Sequence, residues 1–149
     1  MSLAYFLFII FAAVAAAKLE IQIEGKDGWA KNLPTWKISN RLTRLFLGNY
    51  PFTGYHFWVI ITVFLYLHFP FFLGLVWNIS NELKVIAAVL LTAVLEDFLW
   101  FVFNPAFGIR RFNKKEALWH GPWLGPIPLV YLLLIFTATL FLSLSYFFL

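Results

Sequence analysis

The sequence predicts an all-α integral membrane protein of four transmembrane helices, with a cytoplasmic loop that holds a short strand and an interfacial amphipathic helix. Three observations predict it. The chain of 149 residues is 62% hydrophobic and only 12% charged, where a soluble domain carries about 25% charged residues. Its apolar residues gather in four separate runs of helix length. Its basic residues are confined almost entirely to two of the connections between those runs.

The first run is Ser2 to Ala17. At about 1.5 Å per residue it covers roughly 24 Å, short of a bilayer core of about 30 Å unless Lys18 snorkels and Leu19 joins it. Ala15-Ala16-Ala17 resembles a signal-cleavage site, but no positive charge precedes the apolar stretch, so an uncleaved span is expected. Ala12, Ala13, Ala16 and Ala17 give small-xxx-small spacing twice, which lets another helix approach closely.

The first loop, residues 18–56, has organisation of its own. Leu19-Glu20-Ile21-Gln22-Ile23-Glu24 alternates apolar and polar, the period of a half-buried strand, and Gly25-Lys26-Asp27-Gly28 reads as a turn. Such a strand needs a partner, expected in the Trp29–Trp36 segment or in another subunit. From Asn40 to Leu47 the pattern predicts a short amphipathic helix. Ser39 or Asn40 caps it, Leu42, Leu45 and Phe46 form its apolar side, and Gly48 ends it. Arg41 and Arg44 suit a helix lying against anionic lipid headgroups.

The second run is Phe57 to Trp77, the third Val85 to Phe103 and the fourth Pro128 to Leu149. Each covers roughly 28–33 Å and is long enough to span. The loop at 104–127 is dense in Pro, Gly and Trp, from Asn104-Pro105 to Trp119-His120-Gly121-Pro122-Trp123, which predicts a structured cap rather than a linker. Trp29, Trp36, Trp58, Trp119 and Trp123 are expected as interface anchors. Thr139, Ser143 and Tyr146 form a polar stripe on the fourth span, expected to serve helix packing. Asn78-Ile79-Ser80 matches a glycosylation acceptor, but such triplets are common by chance and this one lies close to the membrane.

Sidedness follows from the basic residues. Lys18, Lys26, Lys31, Lys37, Arg41 and Arg44 lie in the first loop, Arg110, Arg111, Lys114 and Lys115 in the third, and only Lys84 in the second. The positive-inside rule then places both termini outside and both basic loops in the cytoplasm.

The chemistry centres on Glu96 and Asp97, adjacent acids inside the third span. A carboxylate at a bilayer centre costs roughly 2.5–3.5 kcal/mol on insertion scales, so an intramembrane acid is a functional candidate by default. At 100° per residue Thr92, Ala93, Glu96, Asp97, Trp100 and Asn104 share an arc of roughly 140°, facing protein or a water cavity. Neighbours in sequence do not face one another on a helix. Glu96 is therefore expected to face the bundle and Asp97 the cytoplasmic cap. Tyr66, which shares a face with Tyr55 and Thr62, and His68, pointing about 150° away, compete as partners for Glu96. The expected acidic site thus comprises Glu96, Asp97, Tyr66, His68, Thr92 and Asn104. His56 and His120, beside Asp97, predict a shallow oxygen/nitrogen site for a divalent cation.

Several classes are excluded. There is no cysteine, hence no disulfide framework or thiolate metal site. The net charge of +4 lies beside spans, where lipid headgroups are the partner, and no nucleic-acid module is visible. No phosphate-cradling loop, HExxH pair or nucleophile elbow occurs. Three classes remain: a proton or cation binder or carrier, a metal-dependent enzyme acting on a lipid-like substrate at the cytoplasmic interface, and an accessory subunit whose acids fix helix packing. So thin a bundle is expected as a homo-oligomer or within a larger membrane complex.

Overall fold

The computed structural model describes residues 2–148 and is mostly helical. Ser2 opens α1 (Leu3–Glu24) by accepting from the Tyr5 N–H, and Gly25, at φ 68°, closes it by donating to the Ile21 carbonyl. The stretch Leu19–Glu24, expected as a strand, is thus the last two turns of a helix. Six alternating residues satisfy either geometry, because Glu20 and Glu24 also share a helical face. Ile21 is buried while Leu19 and Ile23 stay exposed. Extending the helix keeps every backbone group bonded within the segment, as apolar surroundings demand. Its 22 residues cover about 33 Å, which removes the shortfall of the first run.

The strand pairing lies further on, where β1 (Lys37–Ile38) runs antiparallel to β2 (Phe52–Thr53), with Lys37 opposite Thr53. Between them, α2 (Arg41–Leu47) starts at an Asn40–Thr43 capping box and ends at Gly48.

Thr53 caps α3 (Gly54–Phe72). That helix stops five residues short of Trp77 because Pro70 offers no N–H in the last turn and Gly74, at φ 99°, turns the chain. Helix α4 (Ile79–Phe103) begins ahead of Val85, since the Asn78 side chain caps it and Glu82 sits in its first turn, favourable to the helix dipole. Ser80 is buried and donates to the Ser145 carbonyl at 2.8 Å, so Asn78-Ile79-Ser80 serves as a helix start. The hairpin of β3 (Trp123–Leu124) and β4 (Ile127–Pro128) leads into α5 (Leu129–Ser145). The expected fourth span is therefore shorter than its apolar run, whose last residue, Leu149, lies outside the described residues. Thr139 and Ser143 do not pack against another helix. They are exposed and donate to the carbonyls of Ile135 and Thr139, four residues back.

Helices α1, α3 and α4 are each long and apolar enough to cross a membrane, and α5 is apolar but shorter. Together they point to a membrane protein. Tyr5 donates to the Lys84 carbonyl and the Asn104 amide donates to the Gly25 carbonyl. These two contacts hold α1 and α4 parallel in one register. His68 beside Glu82, and Tyr131 beside Asp97 with Ser80 beside Ser145, set α3 and α5 antiparallel to α4. Both basic loops therefore gather at one end of the bundle. Ala13 and Ala17 of α1 and Ala87 and Ala88 of α4 are buried, so part of the small-residue stripe is used within the chain. Ala12, Ala15 and Ala16 instead line a groove of about 350 Å³ towards α3.

The loop end is closed by an aromatic core. Trp100, Phe101 and Trp119 are buried there, with Trp29, Tyr50, Phe107, Phe112 and Trp123 packed against them. The 104–127 segment supplies much of it through short 3₁₀ turns at Ile109–Arg111 and Leu118–His120.

Candidate functional site

All four long helices deliver polar side chains to this same end. Glu20 and Glu24 come from the last turns of α1, His56 and Tyr55 from the first turn of α3, Glu96 and Asp97 from α4, and Tyr131 from the first turn of α5. His120 comes from the cap.

One half of the cluster joins α1 to α3. Ligand atoms of Glu20, Glu24 and His56 all lie within 4.8 Å of one another. The Glu24 side chain is only 5% exposed, and its Oε1 lies 3.8 Å from His56 Nε2. That oxygen also accepts from the Ala30 N–H at 2.5 Å. The loop reaches it because Trp29 and Ala30 adopt φ of 50° and 48°, a conformation that costs non-glycine residues of order 1–3 kcal/mol each and clusters at functional sites. Trp29 lies over the His56 ring, centroids 4.2 Å apart, and its indole N–H donates to the Pro51 carbonyl. His56 is held from behind: Nδ1 and the Thr53 hydroxyl are 2.6 Å apart, leaving Nε2 for the acids. The β1–β2 pairing and the α3 cap fix Thr53, so the small sheet orients the histidine. Tyr55 hydrogen-bonds Glu20.

The other half joins α4 to α5 and the cap. Tyr131 donates to Asp97 Oδ2 in a short hydrogen bond. His120 Nε2 lies 3.3 Å from the same oxygen, yet this buried nitrogen makes no hydrogen bond. A cavity of about 140 Å³ opens beside Asp97, His120 and Tyr131, walled otherwise by apolar side chains including Phe46, Ala93 and Trp119. Glu96 connects the halves. Its carboxyl reaches that of Glu20 within hydrogen-bonding distance, while its Oε1 is buried without a partner.

The charge balance is unusual. Among the described residues no lysine or arginine pairs with Glu20, Glu24, Glu96 or Asp97. Lys18, the nearest base in sequence to Glu20, sits over the Phe103 ring, 4.1 Å from its centroid. Buried carboxylates without counter-charge cost several kcal/mol each, which favours their protonated form or a compensating positive charge.

The remaining sequence candidates lie elsewhere. Neither Tyr66 nor His68 meets Glu96. Counting from the His68–Glu82 contact, fourteen residues along α4 to Glu96 match fourteen back along α3, at Gly54 and Tyr55. Tyr66 stacks on Phe8, and His68 lies 2.6 Å from the Phe64 carbonyl and 3.1 Å from Glu82, far from the acid pair. Thr92 is buried with an unpartnered hydroxyl beside the α1–α3 groove. Asn104 ends α4 and ties it to α1 through Gly25. His56 and His120 do not converge with Asp97 on one point: His56 pairs with Glu24, His120 with Asp97. Trp36 and Trp58 are exposed, whereas Trp119 is buried in the cap and Trp29 and Trp123 are half-buried there. Sequence reading missed Glu20, Glu24 and Tyr131. The i, i+4 spacing of the two glutamates, beside a span that lacked length, was the available signal. Tyr131 carried none.

Compared with protein-family models, curated proteins and solved structures, the chain matches none.

Proposed function

We propose that this is a polytopic membrane protein that binds a divalent cation through Glu20, Glu24 and His56 at the loop end of its bundle. The observation that carries the reading is the approach of those three ligand atoms to within 4.8 Å. Two ligands at about 2.0–2.2 Å from one ion stand roughly 3–3.5 Å apart, so a small inward movement completes the set. The Thr53 hydroxyl behind His56 is the outer partner that ligating histidines usually have. A mixed carboxylate/imidazole set suits manganese, iron or zinc. The bundle lies in the bilayer with both termini outside and the site at the cytoplasmic face, since both basic loops gather there. Exposed Leu42 and Leu45 on α2, with Arg41 and Arg44 beside them, fit anionic headgroups of the inner leaflet.

The test is Mn²⁺ titration of the chelator-stripped, detergent-purified chain. The expected result is saturable binding that His56→Ala weakens at least tenfold while helix content is kept. Absence of binding to the wild-type chain overturns the reading.

A second reading rests on one contact. A hydrogen bond between the Glu20 and Glu96 carboxyls needs a proton between them, and a proton-binding pair inside a bundle is a relay element. Proton flux in proteoliposomes that Glu96→Gln abolishes, without Mn²⁺ binding, favours it.

A further inference from the structure

Asp97 and His120 stand outside the three-residue set, and their arrangement is not that of an ordinary ion pair. Nε2 of His120 and Oδ2 of Asp97 are 3.3 Å apart, close enough for a hydrogen bond, yet none forms and the nitrogen is buried unpaired. A hydrogen bond requires the N–H to point along the line between the two atoms. Two ligands of one ion point instead at a shared position beside that line. At about 2.0–2.2 Å from an ion and a tetrahedral angle, their own separation is roughly 3.4 Å. The observed distance and the failed alignment both match the ligand case.

Two further groups bear on this position. Tyr131 donates to Asp97 Oδ2, orienting the carboxylate as outer partners of ligating acids do. The second unpaired buried atom of the cluster is Glu96 Oε1, on the residue next to Asp97. Glu96 also reaches Glu20, so one carboxylate stands between the two halves of the cluster.

We infer that Asp97 and His120 hold a second divalent cation, beside the ion at Glu20, Glu24 and His56. The inference rests on the cation-binding function proposed above. The second ion has few protein ligands and faces the 140 Å³ cavity, so its remaining positions are open to water or to an oxygen donor entering there. The first ion is the more enclosed by protein, and the second is the one a substrate would meet.

The experiment is metal counting on the full chain in detergent, stripped with chelator, reloaded with Mn²⁺ and desalted. Metal per chain is read by mass spectrometry and spin coupling by electron paramagnetic resonance. Two Mn²⁺ per chain with a coupled spectrum are expected for the wild-type chain. His120→Asn, which keeps a polar group of similar size in the buried position, is expected to hold one ion with an uncoupled spectrum and unchanged helix content. Should that variant fail to fold, the wild-type count and coupling decide alone. One ion per chain in the wild-type protein overturns the second site and leaves the proposed function standing. Two ions retained in folded His120→Asn overturn the assignment of the ligands. No bound ion in the wild-type chain overturns both readings.

Discussion

Thr53 shows how one residue outside the acid cluster governs it. Its hydroxyl contacts His56 Nδ1 at 2.6 Å and accepts the His56 N–H that starts α3. Thr53→Val keeps the shape and removes both contacts. Loss of an outer partner of a ligating histidine typically costs 10–100-fold in metal affinity, and loss of a cap about 1 kcal/mol of stability. Mn²⁺ affinity is therefore expected to fall about 10–100-fold in Thr53→Val and to be retained in Thr53→Ser. Equal weakening in both variants would show that the hydroxyl is not the cause. At this scale the sequence was informative about the acids and silent about their company. Glu96 and Asp97 stand out because charge is rare in an apolar run. Their neighbours are set by helix register across the bundle, and register is not written in any single run. Aligning the edges of the apolar runs sets Tyr66 and His68 at the depth of Glu96. The six residues by which α4 begins before Val85, and the five by which α3 ends before Trp77, shift that alignment by eleven, from Tyr66 to Tyr55.

Among the elements, the helices were legible and their ends much less so. Apolar length identified α1, α3, α4 and α5, but caps and breaks decided their bounds: Gly25 ends α1, Pro70 with Gly74 ends α3, and Asn78 starts α4. The Leu19–Glu24 error was of another kind. Period-two alternation over six residues also fits a helix with acids four apart, and only the need to fill a bilayer distinguishes them. The cap element was expected from its Pro, Gly and Trp content, and Gly121 shows what holds it against α2. A Cβ at that position would lie 2.7 Å from the Phe46 carbonyl oxygen, at a φ of 64°. Gly125 has nearly the same φ, 62°, and nothing within 4 Å. Gly125→Ala therefore carries only the backbone strain, roughly 1 kcal/mol. Gly121→Ala adds the clash with backbone that cannot rotate away, for a total of about 2–4 kcal/mol. Thermal unfolding in detergent should show the larger loss for Gly121→Ala, with faster proteolysis of the α2 loop. Indistinguishable melting of the two variants would mean that α2 does not bear on the cap.

At the scale of the whole molecule, orientation decides which face of the membrane the site meets. Two facts bear on it together. The ten basic residues outside the short second loop, from Lys18 to Lys115, gather at the end of the bundle that carries the acid cluster, and only Lys84 lies at the other. Antiparallel packing of α3 and α5 on α4 permits no arrangement that separates the two basic loops. The positive-inside rule, acting on short loops, is the basis of the proposed orientation, with the site at the cytoplasmic face. The chain has no cysteine, so a single introduced cysteine reports its own position without background. Val76, in the 73–78 connection, and Lys115, in the cap, are both exposed and lie at opposite ends. A membrane-impermeant maleimide is expected to label Val76→Cys in intact cells, and Lys115→Cys only after permeabilisation. The reverse pattern would place the cluster on the outer side and overturn the orientation. It would also change what the site can bind, because an inward-facing site draws its cations from the low free-metal pool of the cytoplasm. There, Glu20, Glu24 and His56, with no lysine or arginine paired to them among the described residues, would hold an ion that a looser set of ligands would lose.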